Sequence, residues 1–188
     1  MHTELIQRIR QGDSAAYEIL VQEHQEAAFR LAYLILGDAD EAQDVAQEAF
    51  IRAYRKLHQF DAERSFRPWI LQITANLARN RLRAVGRYVN ALKRLVGATI
   101  THSPPTNTES ESLKNCESQE LWQAVKRLST EHQEVIYLRF FLELSVAETA
   151  ETLNIAEGTV KSRLNRALQQ LRGVVLHDFP LLVEGRQL

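Results

Sequence analysis

The stretch Ser145-Val146-Ala147-Glu148-Thr149-Ala150-Glu151-Thr152-Leu153-Asn154-Ile155-Ala156-Glu157-Gly158-Thr159-Val160-Lys161-Ser162-Arg163 decides how the rest of the chain is read. Ser145 with Glu148 three residues on is a capping box, in which each side chain satisfies a free amide at a helix start. Small Ala150 leaves room for a second helix to approach. Asn154 stands where the chain must turn through a left-handed conformation, which Asn tolerates better than most residues. Val160 would then lock the second helix onto the first. This is the pattern of a helix-turn-helix, whose second helix enters the major groove with its N-terminal residues at base edges. Lys161, Arg163 and Arg166 are expected to face DNA, with Thr159 and Ser162 suited to phosphates or bases.

Outward from this motif, helices are expected at about 118–128, 131–142, 145–153 and 157–173. In the first half, Ala42, Val45, Ala46, Ala49, Phe50, Ala53, Tyr54 and Leu57 recur at three and four, the stripe of an amphipathic helix begun by Asp38 and Glu41. A second stripe, Trp69, Ile70, Ile73 and Leu77, follows the turn-like Phe60-Asp61-Ala62-Glu63-Arg64-Ser65, with Ser65 the expected cap and Pro68 tolerated in the first turn. Earlier helices are expected at about 3–11 and 14–36. Only 7 glycines and 4 prolines occur in 188 residues, and no stretch alternates as a strand does, so the fold class is all-α. Thr99 to Ser112 holds Pro104-Pro105 and almost no apolar side chains, as a flexible linker would. The expected layout is two small helical bundles, 1–94 and 117–175, joined by a linker at 95–116 and followed by a tail at 176–188.

A net charge of -1 hides a strong segregation. Residues 1–63 carry 6 basic and 12 acidic side chains, and residues 64–94 carry 8 basic and none acidic. The pattern repeats, with 4 basic and 10 acidic in 95–157, then 4 basic and none acidic in 158–172. Each acid-free block predicts a surface facing a polyanion. In the first block Arg64, Arg67, Arg79, Arg81, Arg83 and Arg87 are interleaved with Phe60, Phe66, Asn76 and Asn80. Cations neutralise phosphates, amides read base edges, and aromatic faces stack on unpaired bases. Trp69 is expected in the core instead.

The acidic run Asp38, Asp40, Glu41, Asp44, Gln47 and Glu48 has no histidine or phosphate-binding loop beside it, and suits protein docking better than metal binding. The 6 histidines lack ligand spacing, and no nucleophile elbow, Gly-rich loop or Cys pair occurs. No enzyme activity, metal or cofactor is therefore expected. The lone Cys116 fits a reducing compartment and is expected to be inert. No apolar run approaches roughly 18 residues and the start is not a signal peptide, so no membrane span and a cytoplasmic location are expected.

These stretches resemble the extracytoplasmic-function branch (ECF, group 4) of the sigma-70 family, bacterial RNA polymerase initiation factors. The resemblance is carried by Asp38 to Phe50, Phe66 to Asn76, Leu128 to Arg139 and Glu157 to Leu164, in that order. It implies a region 2-like domain and a region 4-like domain, and a protein that binds core polymerase and selects promoters. Asp40, Glu41, Asp44, Gln47 and Glu48 fall where the family docks on the clamp helices of the largest subunit, the polymerase flap being the other implied contact. Asn76, Arg79, Asn80 and Arg83 fall on the helix that meets the minus-10 element, and Phe60, Arg64, Phe66 and Arg67 in the loop that captures a flipped base. Thr159, Lys161, Ser162, Arg163 and Arg166 match the minus-35 recognition helix. An anti-sigma protein is a further implied partner. A spacer of about 17 base pairs spans about 58 Å, within the reach of about 100 Å that roughly 30 linker residues allow.

Some positions depart from the family. Ala156 stands where many members carry Ser or Pro, which forfeits a side-chain cap worth roughly 1 kcal/mol. Asn165 and Leu168 replace bulkier or basic residues near the end of the recognition helix. The apolar tail, with Leu176, Phe179, Leu181, Leu182 and Val183, is expected to cap the second domain, the alternative being that it helps bind a regulator. The residues alone leave one alternative, a stand-alone helix-turn-helix regulator with an N-terminal sensing or dimerisation bundle.

Overall fold

The structure, a computed structural model, describes residues 2–96 and 114–179 and falls into two compact units, each drawn mainly from one half of the chain, with Glu151–Leu153 grouped with the first. The first is built from α1 (His2–Arg10), α2 (Ser14–Leu36), α3 (Ala39–Lys56), a 3-10 turn (Leu57–Gln59) and α4 (Phe66–Val96). The second contains α5 (Lys114–Lys126), α6 (Thr130–Ile136), a π-helical turn (Tyr137–Phe141), α7 (Val146–Leu153) and α8 (Glu157–Asp178). No strand occurs among the described residues. Helix α4 runs to Val96 and α5 begins at Lys114, so Lys114, Asn115 and Cys116, expected in the linker, are helical. Helix α8 likewise extends through Asp178 into the expected tail. The rest of the linker beyond Val96, and the tail residues Leu181, Leu182 and Val183, lie outside the described residues.

In the first unit α2 packs on both α3 and α4. Asp13 caps α2 by accepting the Ala16 amide at 3.1 Å, and this bond with the Arg8 guanidinium holds its carboxyl below the usual aspartate range. Gly37 ends α2 with φ 75°, a left-handed turn that favours glycine, and Asp38 at once caps α3 by accepting the Glu41 amide at 2.9 Å. Helix α3 turns Ala42, Val45, Ala46, Ala49, Phe50 and Ala53 inward. So many alanines let neighbouring helix axes come close. Tyr54, expected in this stripe, is 51% exposed and rests its ring on Tyr17 at 4.9 Å, because it lies on the flank of the apolar arc.

The second unit centres on the junction of α6 and the π turn, where Glu134 to Leu138 are five consecutive buried residues. At about 100° per residue these go around the whole helix, so this stretch, from the end of α6 into the π turn, is enclosed on every side, while Thr130 and Glu131 at the start of α6 are exposed. The expected regular helix over 131–142 is corrected here. It gives way to the π turn, which the Leu142 amide closes on the Tyr137 carbonyl at 3.0 Å, and Leu144 follows by donating to Leu138 at 2.9 Å. Glu143, between them, takes φ 56°. Trp122 stacks on Tyr137 at 5.6 Å with the Lys126 ammonium 4.7 Å from its ring centroid. Burial pushes the Lys126 amine below the usual lysine range. At the end of α8, Asp178 pairs with Arg127, whose guanidinium lies 5.2 Å from the Phe179 ring, while Leu176 is exposed.

Candidate nucleic-acid and protein-docking surfaces

The α7–α8 pair has the local chemistry of a helix-turn-helix. The Ser145 amide donates to the Glu148 carboxylate at 2.8 Å and the Glu148 amide to the Ser145 hydroxyl at 3.1 Å, the reciprocal cap expected. Asn154 turns the chain with φ 55°, and the Ile155 amide closes on the Ala150 carbonyl at 3.0 Å. Ala156 opens α8 without a side-chain acceptor. Val160 is fully buried and Ala150 nearly so, which seats α8.

Outward, α8 exposes Lys161, Ser162 and Arg166, together with Asn165 and the uncharged Gln169, which charge alone does not single out. Ser162 donates its hydroxyl to the Thr159 carbonyl at 3.0 Å and keeps lone pairs free to accept. Arg163, expected to face DNA, instead pairs with Glu131 of α6 at 3.1 Å. Ion pairs this accessible contribute about 0–1 kcal/mol, so a phosphate can compete for Arg163.

In the first unit the basic block divides between two faces of α4. Asn76, Asn80, Arg83 and Arg87 are exposed at spacings of four, three and four, one helix face. Half-buried Arg79 joins them, donating to the Asn76 side chain at 2.6 Å and to the Ala75 carbonyl at 3.2 Å. Arg81 turns to α3 instead, 2.7 Å from Glu41 and 3.9 Å from Asp44. It thereby neutralises part of the acidic run and leaves the stripe. Glu48 is held by Arg52 at 2.5 Å, while Asp40, Asp44 and Gln47 are exposed. The same face continues through Ile51, 53% exposed, and Tyr54, an apolar extension that helical spacing from Asp40 would have revealed.

The aromatic part of the expected base-binding loop is corrected. Phe66 is fully buried and Phe60 5% exposed, and they pack with Trp69 at 5.5 and 4.5 Å, a cluster that holds the α3–α4 connection from inside. Their faces are in the core, so no base can stack on them in this conformation. Arg64 is exposed and Arg67 half-buried at the rim of the cluster. No group of three or more His, Cys, Asp or Glu side chains among the described residues is arranged to hold a metal, and no helix is long and apolar enough to cross a membrane.

Residues 20–88 match Sigma-70 region 2, and residues 118–171 match Sigma-70, region 4. The chain is similar to the ECF RNA polymerase sigma factor SigW of Bacillus subtilis, 34% identical over 177 residues, covering 89% of this chain and 92% of that protein. It is also similar to the RNA polymerase sigma-H factor of Pseudomonas aeruginosa, 33% identical over 180 residues, covering 89% and 90%. Its fold resembles that of the sigma factor RpoE of Bartonella quintana, solved in complex with the anti-sigma factor NepR, with a TM-score of 0.68 at 24% identity, covering 86% and 98%. The chain belongs to the sigma-70 family, in its extracytoplasmic-function branch. It is a promoter-specificity sigma factor, and the stand-alone regulator is set aside.

Proposed function

We propose that the chain divides its work by helix face. The unit that ends with α4 is the docking and melting domain, the unit from α5 to α8 the minus-35 domain, and the chain between Val96 and Lys114 joins them. Asp40, Glu41, Asp44, Gln47 and Glu48 dock on the clamp helices of core polymerase. Asn76, Arg79, Asn80 and Arg83 meet the minus-10 element, with Arg64 and Arg67 at the loop where a base leaves the stack. Phe60 and Phe66 shape that loop from beneath. Thr159, Lys161, Ser162, Arg163 and Arg166 read minus-35 DNA, and region 4 contacts the flap. The observation that carries this reading is the sorting of charge: acidic side chains stand out on α3, and an amide and arginine stripe on another face of α4. The chain is no enzyme; base pairs open because unstacked bases find a site that stabilises them outside the duplex. It acts in the cytoplasm, where polymerase and promoter are. An anti-sigma partner is proposed by likeness to the Bartonella quintana factor.

The test is affinity for purified core RNA polymerase, wild type beside Asp44→Arg/Glu48→Arg, with circular dichroism confirming the fold. Tight wild-type binding and at least about tenfold loss on charge reversal, a difference of about 1.4 kcal/mol, are expected. A wild type that does not bind core overturns the reading.

A further inference from the structure

Helix α1 runs beside the connection between α3 and α4 and holds its backbone. Thr3, Ile6 and Arg10 lie on one face at spacings of three and four. Ile6 is fully buried and Ile9 nearly so, which anchors α1 to the unit. On either side of Ile6 a polar side chain reaches the connection. The Thr3 hydroxyl donates to the Ala62 carbonyl at 3.0 Å. The Arg10 guanidinium donates to the Leu57 carbonyl, at 3.2 Å from Nη2 and 3.4 Å from Nε, and to the Phe60 carbonyl.

The Leu57 carbonyl, which also takes the Phe60 amide at 3.2 Å, and the Phe60 carbonyl just beyond the 3-10 turn carry partial negative charge, and the rigid donor fork of an arginine reaches both at once. The rest of the connection closes on itself. The Arg64 amide donates to the Asp61 carbonyl at 3.0 Å, and the Asp61 carboxylate accepts the Glu63 amide at 3.1 Å. The backbone is thus held by α1 and by its own turn, while Asp61, Glu63, Arg64 and Ser65 remain exposed.

We propose that α1 is a strap that pre-forms this connection as a cradle for an unpaired base, with Arg10 and Thr3 as positioning residues for single-strand capture. The proposal rests on the assignment of this loop to the minus-10 element. Helix α1 lies ahead of the residues matched to Sigma-70 region 2, so that match says nothing of it. A loop that orders only on capture loses conformational entropy at that moment, whereas a loop already held does not. The strap's hydrogen bonds are in place before DNA arrives.

The test uses the full chain assembled with core polymerase. Its probe is a promoter fragment selected by the wild-type holoenzyme from a random duplex library, used as full duplex and with a mismatched bubble across the minus-10 element. Arg10→Ala is expected to speed amide exchange at residues 61–65 and weaken bubble binding about tenfold, equivalent to about 1.4 kcal/mol, with core affinity unchanged. Thr3→Val, a milder change, shifts both readouts in the same direction, and Arg10→Lys, which keeps the charge without the fork, falls between. Bubble binding by Arg10→Ala at the wild-type level overturns the proposal. So does a loss matched by equal loss of core affinity, which marks a general structural role. If Arg64→Ala/Ser65→Ala leaves bubble binding unchanged, the loop does not hold the base, and the assignment and the strap fall together.

Discussion

Ala156 opens α8 with extended backbone and no oxygen to offer, so only its own carbonyl serves the first turn, through the amides of Thr159 and Val160. Ala156→Ser supplies the missing acceptor and is expected to raise stability by about 1 kcal/mol, seen as a higher thermal midpoint of the full chain. An unchanged midpoint would show that a side-chain acceptor adds nothing to the carbonyl that already serves this turn. This gap was legible in the sequence, as were the Ser145–Glu148 cap and the left-handed Asn154, because each depends on side chains within a few residues of one another. Glu143 was not legible. Its φ of 56° costs an L-residue about 1–2 kcal/mol, and nothing in its own chemistry asks for it. The cause is the neighbouring π turn and the Leu144 to Leu138 hydrogen bond, which depend on how α6 is enclosed.

At the scale of elements, α3 divides its residues between a packing face and a solvent face. Its inward face is mostly alanine, pressed against α2 and α4, and its outward face is left to solvent. Ala49→Leu adds bulk where none fits and is expected to destabilise the protein by about 1–3 kcal/mol. Gln43→Leu, on the exposed side, is expected to stay within about 0.5 kcal/mol. Chemical unfolding of the two variants measures both, and equal effects would contradict the packing argument. Periodicity located α2, α3, α7 and the start of α8 because their apolar stripes are regular. It misplaced Tyr54 because spacing cannot tell the flank of a stripe from its centre, and the reading of Phe60 and Phe66 from the arginines around them could not tell a rim aromatic from a core one.

Across the whole molecule, alternating acidic and basic blocks were plain in the linear sequence, but the partners of individual cations were not. Arg81 and Arg163 both sit in acid-free blocks, yet each meets a carboxylate brought from another helix by packing. The two tryptophans are likewise far apart in sequence and fall one to each unit, Trp69 among phenylalanines and Trp122 stacked on Tyr137 beneath an ammonium group. Each unit therefore carries its own built-in fluorophore. With Trp69→Phe, emission should report only the second unit and should change as Lys126 loses its proton, at a pH below the ordinary lysine range because burial disfavours the charged amine. With Trp122→Phe, that alkaline change should vanish. Heating the two variants side by side would then give separate optical melting curves for the two halves of one intact chain, and their offset would measure how far the two units unfold independently.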